Sequence, residues 1–144
     1  MLSYAKSRKV VKRLLFLFVI LFTVCFLQTA IAQDEESELK IITLDQDDGL
    51  LAIPSRIVVY PGDTLQFKSI NGDFDIYIID AISFLEMREA DLKERVDSST
   101  KPESQKYIVR RIDDDSDITI PYAIYCISQN RWPDAPPRII IVAQ

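Results

Sequence analysis

Ile57-Val58-Val59-Tyr60-Pro61-Gly62-Asp63-Thr64-Leu65-Gln66-Phe67 is the stretch on which the fold turns. Three β-branched residues in a row favour extended backbone. Pro61 presets φ and Gly62 accepts a positive φ, so Pro61-Gly62-Asp63 reads as a turn. From Thr64 to Lys68 polar and apolar residues alternate, which puts Leu65 and Phe67 on one face. The segment is strand, turn, strand.

The same signals recur outward from it. Residues 39–44, 50–53, 75–80, 106–112 and 138–143 read as further strands. Asn71-Gly72-Asp73 is a turn of hairpin type. In 118–126 the alternate residues Ile118, Ile120, Tyr122, Ile124 and Cys126 share one face, with a start or a bulge expected at Pro121, which lacks an N–H. One segment departs from this pattern. Over 83–96, Ser83 and Glu86 form a capping box flanked by Ile82 and Met87. Glu89 with Lys93 and Asp91 with Arg95 are i,i+4 pairs in the favourable order. The spacing predicts one helix across the sheet, with Leu85, Leu92 and Val96 as its apolar stripe. The fold class is all-β, an antiparallel Greek-key sandwich with one inserted helix.

The first 32 residues read as an address. Lys6, Arg8, Lys9, Lys12 and Arg13 precede an apolar run over 14–27, and Ala30-Ile31-Ala32 has the small-x-small pattern of a signal peptidase site. Cleavage is expected after Ala32, directing the protein to the periplasm or outside the cell. The rival is an uncleaved anchor, since 14–32 approaches the length that spans a bilayer. Residues 33–38 then form an acidic tail, and 39–144 form one domain. Five of the 17 basic residues lie before Leu14, so the chain from Gln33 carries 12 against 22 acidic residues, a net charge of −10. Such a surface repels nucleic acid and anionic lipid. No membrane contact is expected once the signal is removed.

Chemistry is limited by what is absent. The chain has no histidine and three glycines, which leaves no triad, no imidazole metal site and no glycine-rich phosphate loop. No enzymatic activity is expected. Asp45, Asp47, Asp48 and Gly49 depart from a calcium loop in register, with Arg56 at the twelfth position. The acidic run 113–117 reads as a solvated loop. Cys126 is the only cysteine after the signal and pairs with nothing in its own chain; a buried thiol is the simplest reading.

The 57–67 stretch resembles the opening of plastocyanin-like cupredoxins. Tyr122-Ala-Ile-Tyr125-Cys126, a proline-rich loop and Arg138-Ile-Ile-Ile-Val142 resemble the closing ligand loop of that family. The resemblance implies a corner tyrosine at Tyr122 and ligand positions at Asp75, Cys126, Gln129 and Asp134. Type-1 copper takes two His, a Cys and usually a Met. Only the thiol position is kept, so no cofactor is expected, with copper held through Cys126, aided by Met87 or carboxylates, as the alternative. A further alternative is a thiol link to a partner through Cys126. The loop 130–137, with Asn130, Arg131, Trp132, Pro133 and Pro136, is the expected contact surface for an envelope or secreted protein partner, since Trp and Arg are enriched in interface hot spots. Trp132 folding back over the vacant metal position is equally compatible with the sequence.

Overall fold

A computed structural model describes residues 37–112 and 115–143. The expected signal and cleavage site, residues 33–36 of the tail, and Asp113 and Asp114 lie outside the described residues. Ten strands follow in order: β1 Leu39–Asp45, β2 Ala52–Ile53, β3 Arg56–Val59, β4 Thr64–Asn71, β5 Asp73–Ile78, β6 Leu92–Asp97, β7 Tyr107–Ile108, β8 Ile118–Pro121, β9 Ala123–Cys126 and β10 Arg138–Ile141. The all-β expectation holds. No helix among the described residues is long and apolar enough to cross a membrane.

One sheet has the order β2-β1-β4-β7; the others are β3-β10-β8 and β6-β5-β9. The last two meet in the chain 118–126, which leaves one sheet at Pro121 and enters the other at Ala123. The break falls at the proline, where a ladder donor is missing. Alternation along each strand sends Ile42, Leu44, Leu65, Phe67, Phe74, Ile76, Ile78, Ile124, Cys126, Ile139 and Ile141 into one core.

Three expectations are corrected. The sandwich is mixed rather than antiparallel: β1 runs parallel to β4, and β3 parallel to β10. The chain turns back as β2, crosses to β3 in another sheet, and is returned beside β1 in the same direction by the Pro61-Gly62 turn. Secondly, Asn71-Gly72-Asp73 makes no hairpin, because β4 and β5 lie in different sheets. Gly72 has φ +105°, and its carbonyl accepts both Ser69 Oγ and Ser98 N. Thirdly, there is no helix over 83–96. A 3₁₀ turn, Ala81–Ser83, is followed by a loop and then β6. Ser83 Oγ donates to Asp80 O at 2.8 Å instead of capping a helix, and the Glu86 N–H goes to Ile108 O at 2.9 Å. Leu92 and Val96 are buried at strand spacing along the full β5–β6 ladder. That ladder satisfies the backbone across a buried sheet, which outweighs surface pairs of a few tenths of a kcal/mol each.

The Pro61-Gly62 turn is latched by a buried carboxylate. Asp63 Oδ2 accepts the Tyr60 N–H at 2.9 Å and Oδ1 accepts the Glu38 N–H at 3.0 Å. Gly62 has φ +94°, the conformation this turn requires. Of the expected acidic tail, Glu38 is thus bonded to the domain.

Tyr122 packs edge-on against Phe67, with ring centroids 5.7 Å apart. Its hydroxyl is buried and is the one buried side-chain polar atom without a hydrogen-bond partner among the described residues. An unpaired buried hydroxyl costs about 1–3 kcal/mol. Tyr122→Phe is therefore expected to raise stability by about 1 kcal/mol at pH 7, measured by chemical denaturation. Burial also raises the Tyr122 hydroxyl above the usual tyrosine value of 10. The same holds at Tyr107, where burial acts first and the hydrogen bond to Glu94 adds to it. The unfolded chain releases these protons first. Stability is then fully present below pH 10 and falls as pH rises beyond it, by up to about 1.4 kcal/mol per pH unit for each group. An alkaline denaturation series should give Tyr122→Phe the shallower decline.

Candidate functional site

β9 ends at Cys126, and from there the chain folds sharply back on itself. Cys126 N donates to Arg131 O at 2.9 Å, and Arg131 N to Cys126 O at 3.2 Å. The tight turn between them needs one residue at positive φ. Asn130 supplies it at φ 52°, a conformation Asn tolerates better than most residues. Its Oδ1 also accepts from the Tyr125 hydroxyl. Arg131 then reaches across to a second loop, where its Nη2 donates to the carbonyls of Gln46 and Asp48, both at 2.8 Å. Further bonds join the two loops. Ser128 Oγ donates to Gln46 Oε1 at 2.7 Å, and Asp134 N donates to Gly49 O at 3.1 Å. Gln46 Nε2 donates in turn to Asn71 Oδ1, and Asn71 Nδ2 to Asp47 Oδ2.

This network holds Trp132 in the open. The indole is 57% exposed and leans on the Tyr125 ring, with centroids 4.8 Å apart and planes at 51°. Trp132 is thus displayed rather than folded into the core. Pro133 is half-buried and Pro136 exposed, and both lie in the return path to β10. The structure brings Asn130, Arg131 and Trp132 together as one anchored turn. The sequence reading missed Tyr125, Gln46 and Ser128. Tyr125 was accessible from strand alternation, since it lies between the inward Ile124 and Cys126. Nothing in the sequence marks Gln46.

The four positions implied by the resemblance are not brought together. Cys126 is fully buried, with Sγ 3.4 Å from Ser128 Oγ. Phe74 is its register partner on β5. Asp75, one residue on, points to the opposite face of that sheet, beside Tyr125 and Arg95. Gln129 is exposed, and its Oε1 accepts from Arg131 Nε at 2.7 Å. Asp134 is exposed against Gly49, where an added Cβ would stand 2.7 Å from Asp134 Oδ2. Among the described residues no three His, Cys, Asp or Glu gather as a metal site. A lone buried thiol, with two carboxylates and an amide dispersed around it and no imidazole in the chain, does not fit a type-1 copper centre. Met87 is partly buried on the loop before β6.

Charge at this end is negative in excess. Asp47, Asp48, Asp75 and Asp134 take part in no ion pair among the described residues. Arg131, the cation of the turn, is bonded to carbonyls. Arg95 is held by Asp73 through Nε and Nη2, and this hydrogen bonding raises its pKa.

No family model matches the chain, and no curated protein matches it. Among solved structures it is similar to amicyanins. A reduced Trp-to-Tyr variant aligns with TM-score 0.47 and 11% identity over 78% of this chain and 87% of the other. A reduced Cu(I) Pro-to-Gly variant at pH 4 aligns over the same shares with TM-score 0.46 and 11% identity. A Cu(I) Met-to-Ala variant gives 0.45 and 14%, again over the same shares.

Proposed function

We propose that this protein is an exported, non-catalytic binding module, a cupredoxin-like sandwich without type-1 copper, that contacts an envelope or secreted partner through the loop 130–137. The observation that carries the proposal is the anchored, exposed Trp132. A large aromatic held in the open by a closed hydrogen-bond network loses little entropy when a partner covers it. Trp at the centre of a contact supplies a large share of binding energy. The complete burial of Cys126 supports a packing role for the thiol over ligation or partner linkage.

Two measurements test this. Copper titration of the untagged exported protein, with cupric and cuprous ion separately, is expected to show no stoichiometric site sensitive to Cys126→Ser; an intense thiolate–copper band overturns the proposal. A thiol reagent should modify Cys126 only as fast as the protein unfolds. For the contact, a photo-crosslinker is placed in cells at position 132, or at exposed Ile108 on β7 as a control. Adducts at 132 and none at 108 are expected, and equal or absent labelling removes the loop from consideration.

A further inference from the structure

Resting on that reading of the loop, we infer that the Trp132–Tyr125 pair seats a lysine or arginine side chain of a basic polypeptide partner. The two rings offer a π surface that attracts a cation within about 6 Å of its centroid. The indole is more than half exposed and its backbone is already fixed, so the seat exists before binding.

Charge selects the occupant. Asp48 lies on the loop that Arg131 grips, Asp134 is two residues past the indole, and Asp75 stands beside Tyr125 in the β5–β9 ladder. None is in an ion pair among the described residues. The nearby cations offset them only in part: Arg131, bonded to the carbonyls of Gln46 and Asp48, and Arg95, paired with Asp73 and opposite Asp75, are two charges against the five of Asp47, Asp48, Asp73, Asp75 and Asp134. Arg56 and Arg138 are register partners on the β3–β10 ladder, in a different sheet from Tyr125. A purely apolar partner covering Trp132 would strip water from these carboxylates without replacing it, which is costly. An anionic partner would be repelled. A basic segment meets both the rings and the carboxylates.

Trp132 is the only tryptophan in the chain, so its emission reports on this seat alone. The probes are a seven-residue oligo-arginine peptide, an oligo-glutamate and a neutral Gly-Ser peptide, added to the exported protein at low salt. Saturable change in Trp132 emission with oligo-arginine only is expected. By calorimetry, Trp132→Ala should bind that peptide about tenfold more weakly. Asp48→Asn with Asp134→Asn should weaken it by a similar factor, with the fold checked by circular dichroism. Absence of oligo-arginine binding, or equal affinity for Trp132→Ala, overturns the inference. If crosslinking at 132 still captures a partner that oligo-arginine does not displace, the contact loop stands and only the basic-partner assignment falls.

Discussion

Replacing Phe67 by alanine is expected to lower the unfolding free energy by about 3–5 kcal/mol. Phe67 is fully buried in the middle of β4, the strand paired on one side to β1 and on the other to β7. Its ring also meets the Tyr122 ring, at the point where the chain passes from β8 to β9. Removing it loses the transfer energy of the ring and leaves a cavity between sheets whose strands are held by their ladders and close only in part. A fall in melting temperature of roughly 15 °C follows for a domain of this size. Ile70→Ala is the control on the same strand. Ile70 is 55% exposed, and the change should stay within about 0.5 kcal/mol. Similar losses at the two positions would show that the core is not centred where the structure places it.

Glu94→Ala is the second large expectation, a loss of about 2–3 kcal/mol. Glu94 occupies an inward position of β6, between the buried Leu92 and Val96. Tyr107, on β7 of a different sheet, donates its hydroxyl to Glu94 Oε2 at 2.5 Å, and Lys101 pairs with Oε1. The carboxylate thus ties two sheets through the core. Alanine leaves the buried Tyr107 hydroxyl without its acceptor, and that desolvated group carries most of the cost. Lys101 is half exposed and returns to water cheaply. Glu94→Gln keeps an acceptor in place and should cost less than half as much. Denaturant titration of the two variants separates the cases. Equal losses would mean that charge, rather than hydrogen bonding to Tyr107, carries the effect.

Glu94 also shows why part of the fold was hidden. Over 83–96 Glu89 with Lys93 and Asp91 with Arg95 form helical i,i+4 pairs, and the capping signature is intact. A carboxylate looks like a surface residue, so the period-2 alternation of Leu92, Glu94 and Val96 was masked by its polar centre. Tyr107, 13 residues away in sequence and across the sandwich, makes that centre tolerable. The strands around Pro61-Gly62 were legible because turn chemistry and alternation are local properties. Parallel pairing was not, since it depends on where a strand lands after crossing between sheets. The contact loop was legible in composition, through Trp132 and its prolines. Its architecture was not, because the carbonyls of Gln46 and Asp48 lie more than 80 residues before Arg131.

By itself the sequence determined the all-β class, most strand positions, the sharp turn at Pro61-Gly62, the acidic balance and the absence of imidazole. Each of these is set by a residue's own backbone preference or chemistry. The tertiary structure alone decided that 92–97 is a strand, that two strand pairs run parallel, that Asp75 and Cys126 face opposite sides of one sheet, and that Trp132 is displayed. These follow from long-range ladders and shared burial, which outweigh local propensity whenever a segment's backbone has to be satisfied inside the core.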